Sequence, residues 1–338
     1  MIKIGLIILM MLAVAESTTA NYINYHRQVL VAESLLFIGK FEEGIAKYRE
    51  IFSAYKPFAK DCFIALQISA MREDTSSFRY FLVKGIACGI NWSTLNKSEH
   101  IRNFLRERKA ERLLLEQIYS DKRPKYIQSI NRTLRDSIYL LRRRDDSGRM
   151  ISRNNMTYSN HIYYTKDPVL DENINILAGI AKRHGYPGQR MIGIKDPEID
   201  SVEESPILLE SLASVILYHH YCGFFLMKNE LYNGLLNGEI LPAEYALIYE
   251  WAYEGYYQSK GQYRGSNNRF IFTTKCDYPE KDKFYNHYLN PFFYCKDTLL
   301  VNSCRKEIGM QSIQHQFVKQ KFAERNDLIL STGFLNLY

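Results

Sequence analysis

Apolar residues recur at helical spacing through most of this chain. From Ala32 to Ile51 they fall every third or fourth position on both sides of a turn at Gly39-Lys40, and Pro57 closes the segment. That pattern predicts two amphipathic helices folded back on one another. It returns more loosely from Asp61 to Gly89, around a turn at Arg72-Glu73-Asp74-Thr75 that lacks glycine. Such pairs leave an apolar face to be covered, and residues 98–119 are the segment expected to cover it. Further on, Asp171-Glu172 opens a helix through Lys182. Gly185-Tyr186-Pro187-Gly188 ends it, with glycine for the left-handed position and proline to forbid continuation. A central helix is predicted from Pro206 to about Asn237, with Leu209, Leu212, Ile216, Phe224, Met227 and Leu231 on a broad apolar face and His219-His220 within it. Gly234 and Gly238 end that helix. Ala243 to Ser259 reads as another helix, dense in tyrosine. Residues 266–304 read as irregular chain or short strands, such as Arg269 to Thr274, and Val301 to Arg325 as one or two helices. The expected class is mainly α: N-terminal helical hairpins, then a helical C-terminal domain with irregular, short-stranded segments.

The N-terminus follows a different rule. Lys3 precedes an apolar run from Ile4 to Ala15, and Ala13-Val14-Ala15 is a small-x-small cleavage pattern before polar Glu16-Ser17-Thr18-Thr19. This reads as a secretory signal peptide, so the mature chain is expected to be exported, periplasmic or secreted, with no stable membrane span. The alternative is an N-terminal anchor that is retained. The resulting organisation is residues 1–20 signal peptide, 21–120 helical repeats, 121–160 basic connector, 161–325 C-terminal domain and 326–338 tail.

Two resemblances follow from these patterns. The unit at 32–51, with small residues at Ala32 and Gly44 and with Gly39 and Phe41 at its turn, resembles a tetratricopeptide repeat. In the second unit Ala65, Ala70, Phe78, Leu82 and Ala87 fit the same pattern. Such repeats imply a protein partner. The second resemblance is carried by Asp145-Asp146-x-x-Arg149, Asp171-x-Asn173, Gly185-Tyr186-Pro187 and Gly193. It continues through the His on the central helix, Gly238-Glu239-Ile240, Pro242 with Ala246, Gln262-Tyr263-Arg264-Gly265 and Arg305-x-x-Ile308-Gly309-Met310. In that order these elements resemble a bacterial domain of unknown function, of the kind found in exported or cytoplasmic proteins of Bacteroidota, over roughly residues 135–325. Where that pattern has an Asp-Arg pair, this chain has Glu250-Trp251. The likeness implies a domain boundary and a pocket, and no reaction.

Charge changes the picture in one place. From His100 to Arg153 there are 15 Lys and Arg against 7 Asp and Glu, a local net of +8 beside +7 for the whole chain. That segment is either a docking surface for an acidic partner or a solvated helical connector. Nucleic acid is not expected: no recognition motif is present, and the pI of 8.9 is only mildly basic. The 26 tyrosines suit half-wet grooves, because the ring packs while the hydroxyl seeks a partner. Of the six cysteines, locality favours a pair Cys62–Cys88, with free buried thiols as the other reading.

Chemistry-bearing residues are few. His219 and His220 are adjacent, so on a helix they point about 100° apart and cannot readily share one metal. His-Glu-x-x-His is missing, so no metal and no cofactor is expected. One of the two histidines can act as a general base; otherwise one is a core residue and the other faces solvent. Glu250 and Glu254 share a helical face, too close and too parallel to bracket a sugar. Asp146, Arg149, Tyr186, Gln262, Tyr263 and Arg264 are the candidate binding residues for a small polar ligand. The sequence therefore supports an exported helical-repeat binding or protein-interaction module with a polar pocket near His219 and His220. The alternative is a hydrolase-like enzyme with one of these histidines as base.

Overall fold

A computed structural model describes residues 21–154, 168–200, 211–218, 220, 223–259 and 298–330. About 80% of this is helical. Among the described residues the one pairing of extended chain is a single antiparallel bridge, Ile194 with Ser211. The signal-peptide reading at 1–20 and the strand expected at 269–274 lie outside the described residues.

The N-terminal half is built as the hydrophobic pattern predicts. Helix α1 (Tyr22–Phe37) and α2 (Phe41–Ala54) form one hairpin, α3 (Ala59–Met71) and α4 (Thr75–Ala87) a second. Gly39 holds the first turn at φ +82°, the left-handed region that glycine enters without cost. At the second turn Glu73 takes the same region at φ +57°, and Asp74 caps α4 by accepting from Ser77 N at 3.0 Å. Gly44 is required by closeness: a Cβ there would stand 2.6 Å from Leu36 Cδ2 and 3.2 Å from Ala32 O. After the short α5 (Trp92–Lys97), α6 (Glu99–Glu107) covers α3, and α7 (Lys109–Ser129) covers α4. This is the third layer the open face demanded.

The second core is gathered around α8 (Arg132–Asn154) and α9 (Pro168–His184). Gly185 ends α9 at φ +81°, and its N–H bonds to Ala181 O at 2.9 Å. Two one-turn helices follow, α10 (Gln189–Ile192) and α11 (Pro197–Asp200). The continuous helix expected from Pro206 to Asn237 is not formed. Among the described residues it is three pieces: α12 (Ser214–Tyr218), α13 (Gly223–Leu226) and α14 (Lys228–Asn237). The reason is burial on every side. Leu212, Ala213, Ile216, Leu217, Phe224, Met227 and Leu231 are all buried, more than one straight stripe can place against a single wall. Between α12 and α13, Gly223 N bonds to His220 O at 2.9 Å. Gly223 fits there because a Cβ would stand 2.5 Å from Leu217 Cδ2 and 2.9 Å from Ile174 Cδ1. Gly238, in the left-handed conformation, ends α14, and α15 (Pro242–Ser259) follows.

The chain then returns to its start. After α16 (Thr298–Glu307), α17 (Ile313–Arg325) lies on α1. Buried Glu33 is paired there by Lys319 and by His315 Nε2 at 3.2 Å. Burial alone would raise the Glu33 carboxyl, and the Lys319 charge with the His315 hydrogen bond overrides it, to about 2. Gln67 grips the backbone of Ile329 from both sides, donating to its O at 2.7 Å and accepting from its N at 3.0 Å. Leu328 and Leu330 are buried in the N-terminal core. No helix among the described residues is long and apolar enough to cross a membrane.

Candidate functional site

Helix α1 begins where the two cores meet: Tyr22, of the first, rests on Gly238, and Ile23, of the second, on Gly309. Beside this contact lies an open pocket of about 580 Å³ lined by Tyr22, Ala54, Tyr55, Lys56, Arg190, Asn237 and Glu239. It thus lies where the first helical hairpin meets the segments around α10 and the end of α14. The close approach is set by glycine. A Cβ on Gly188 would fall 1.9 Å from Glu239 O, and Gln189 N donates to that same oxygen at 3.0 Å.

The charges of the pocket are unequally occupied. Glu239 Oε2 accepts from Arg190 N and Met191 N, each at 3.0 Å, so one oxygen of this carboxylate is engaged by the first turn of α10. Burial raises its pKa, against these hydrogen bonds and the Arg190 charge. The Arg190 guanidinium stacks 4.8 Å from the centre of the Tyr22 ring and gives Nη1 to Asn237 O at 2.9 Å, which leaves the rest of its donor fork open. Lys56 is exposed, with no hydrogen-bond or ion-pair contact from its ammonium among the described residues, and its charge acts on the Glu239 carboxyl. Two cationic heads and two tyrosine rings therefore face a wet space whose carboxylate is already engaged. That is a surface for an anion.

Of the residues the sequence singled out, Tyr186 and His220 have described side chains, and neither lines this pocket. Tyr186 is buried, and its hydroxyl exchanges a hydrogen bond with Ser214 Oγ at 2.9 Å. Ser214 in turn donates to Glu244 Oε1 at 3.1 Å. Glu244 also accepts from Ser211 N at 2.6 Å and Leu241 N at 2.9 Å, the last being the return half of a capping box on α15. His220 lies in the turn between α12 and α13, not on a helix. Its Nε2 is 2.9 Å from Asp171 Oδ1, and its buried Nδ1 has no partner. Asp146 and Arg149 fall on α8, where only the backbone is described. His219, Gln262, Tyr263 and Arg264 lie outside the described residues, as do the side chains of Glu250 and Glu254. Among the described residues no group of three His, Cys, Asp or Glu side chains could hold a metal.

Glu244 makes a pH prediction. Burial drives its carboxyl up to about 7 against three hydrogen bonds that favour the charged form. A folded value above the unfolded 4.5 contributes stability that is complete below pH 4.5 and is lost as pH rises through 7. Denaturant unfolding at pH 5 and pH 8 should show the native chain losing on the order of 3 kcal/mol relative to Glu244→Gln. Equal losses in both chains would refute it.

Sequence reasoning missed Tyr22, Lys56 and Arg190. Arg190 stands two residues past Gly-Tyr-Pro-Gly, which was the available signal; nothing local to Tyr22 or Lys56 marks them. No protein-family model matches this chain, and the search of the curated proteins and that of the solved structures each found no match.

Proposed function

We propose that this chain is an exported helical binding protein that holds a small anionic ligand between its N-terminal hairpin and the segments around α10 and α14. The observation that carries the reading is the pair Arg190 and Lys56 facing an open pocket in which Glu239 is already engaged. Export is supported by the Ile4–Ala15 run and its Ala13-Val14-Ala15 cleavage pattern. The hairpins at 22–54 and 59–87, with glycine or a left-handed residue at each turn, support tetratricopeptide-like repeats that take a protein partner.

Lys56→Ala is the informative variant, because its side chain is exposed and holds no part of the fold. Calorimetric titration with phosphate, citrate and a uronic acid should find at least one that binds the native chain. Its affinity should fall about tenfold in Lys56→Ala, the loss of one charge-assisted contact, with an unchanged Tm. Equal affinity in both proteins removes the pocket from the account.

A second reading, hydrolysis with His220 as base, is supported by the Asp171–His220 pair. That pair resembles the orienting half of a nucleophilic triad. An esterase and glycosidase panel that gives identical traces for native protein and His220→Gln eliminates it.

A further inference from the structure

Cys62 stands near the start of α3 and Cys88 directly after the end of α4. The two helices are packed as an antiparallel hairpin, so both cysteines lie at the same end of it. Gly85 marks the contact: a Cβ there would lie 3.5 Å from Cys62 Cβ. Cys88 follows one turn later on the same side, its N–H bonded to Gly85 O at 3.0 Å. Both cysteines are free and buried, Cys62 wholly and Cys88 with 6% of its surface still exposed.

The two sulfurs differ in character. Burial pushes the Cys62 thiol well up. Cys88 is held below the usual thiol value, first by the hydrogen bond from Cys62, then by the charges of Lys56, Lys84 and Arg190 against the effect of burial. Lys56 and Arg190 are the cations of the pocket described above.

We propose that Cys62 and Cys88 are a redox pair that closes to a disulfide across the α3–α4 hairpin, with Cys88 as the attacking sulfur. The co-reactant is a disulfide donor, either a small molecule or an exported thiol–disulfide exchange protein. The Cys88 thiolate attacks one donor sulfur, the donor S–S bond breaks, and half the donor leaves as a thiol. Cys62 then gives up its proton and attacks the Cys88 sulfur of the mixed disulfide, expelling the other half as a second thiol. The protein loses two electrons and two protons, and the donor gains both.

The test uses the full mature chain with all six cysteines. It is incubated with oxidised glutathione, denatured, alkylated and mapped by mass spectrometry without reduction. The expected product is the Cys62 peptide joined to the Cys88 peptide, reversed by dithiothreitol, with Tm raised on the order of 5 °C by the closed loop. Cys62→Ser should trap glutathione on Cys88, whereas Cys88→Ser should leave Cys62 free. Alkylation of both residues in the oxidised sample, or a bridge from either to another cysteine, overturns the pair. Glutathione on Cys62 in Cys88→Ser overturns the order of attack. The map of the unsubstituted chain decides the pair even where a variant fails to fold.

Discussion

Gly188→Ala is expected to destabilise the protein by about 3 kcal/mol or more, the upper end of overpacking effects. The added methyl would stand 1.9 Å from Glu239 O, 2.4 Å from Glu239 C and 2.6 Å from its Cβ. Two of those atoms are backbone, so the conflict cannot be relieved by turning a flexible side chain. The carbonyl is also held in place by Gln189 N at 3.0 Å. Opening the contact would pull Glu239 from the first turn of α10 and move Arg190 with it, so anion binding should fall along with stability. Gly179→Ala is the control. It lies within α9, nothing stands within 4 Å of its Cβ position, and the change should stabilise by roughly 0.5–1 kcal/mol. Urea unfolding of the two variants checks both signs. A Gly188→Ala chain as stable as the native one would show that the two backbones do not meet here.

Arg135→Met should cost about 3–5 kcal/mol, as the breaking of a buried pair does. Arg135 is fully buried in α8. It donates from Nε to Asp200 Oδ1 at 2.8 Å, pairs with Asp200 Oδ2, and gives Nη2 to Ile194 O at 2.9 Å and Nη1 to Ile192 O. Removing it leaves the Asp200 charge without its counter-charge, held only by the Tyr139 hydroxyl and Asp196 N, and takes a donor from two buried carbonyls. Burial works against the guanidinium charge, and the Asp200 pairing outweighs it. Arg135→Lys should recover little, because one ammonium cannot reproduce a planar fork spread over three acceptors. Arg135→Met with Asp200→Leu should be less damaging than Arg135→Met alone, since the orphan charge is gone. A single-variant loss under about 1 kcal/mol in equilibrium unfolding would count against a structural role for the pair, on the scale of an exposed one.

That pair also resolves part of the basic stretch from His100 to Arg153. Arg123 turns inward like Arg135: it pairs with buried Asp196, and it gives Nε to Glu198 at 3.2 Å and Nη1 to Gly89 O at 3.3 Å. Tyr119 and Tyr139 donate to the same acidic segment, at Glu198 and Asp200. Two of the cations counted in the sequence as surface charge are thus internal clamps between α7, α8 and the segment 196–200. Others stay outside in exposed pairs such as Lys125 with Asp121. Net charge on a segment is legible from composition, but which charges enter the core is not. A long side chain reaches whichever partner the fold brings near, and here the partners are 73 and 65 residues away.

Local periodicity and turn chemistry by themselves determined the helical class, the two hairpins with their covering layer, and the helix ends at Gly39, Gly185 and Gly238. These are consequences of 3.6-residue spacing and left-handed glycine, which operate within a few neighbours. Only the tertiary structure decided that the described residues of the segment expected as one rod fall into three short helices, since its apolar residues are claimed by walls on more than one side. Only it brought Tyr22, Lys56, Arg190 and Glu239 to one pocket, and returned Leu328 and Leu330 to the N-terminal core. Those contacts join residues far apart in sequence, and their energies depend on what each side chain meets after the chain has folded.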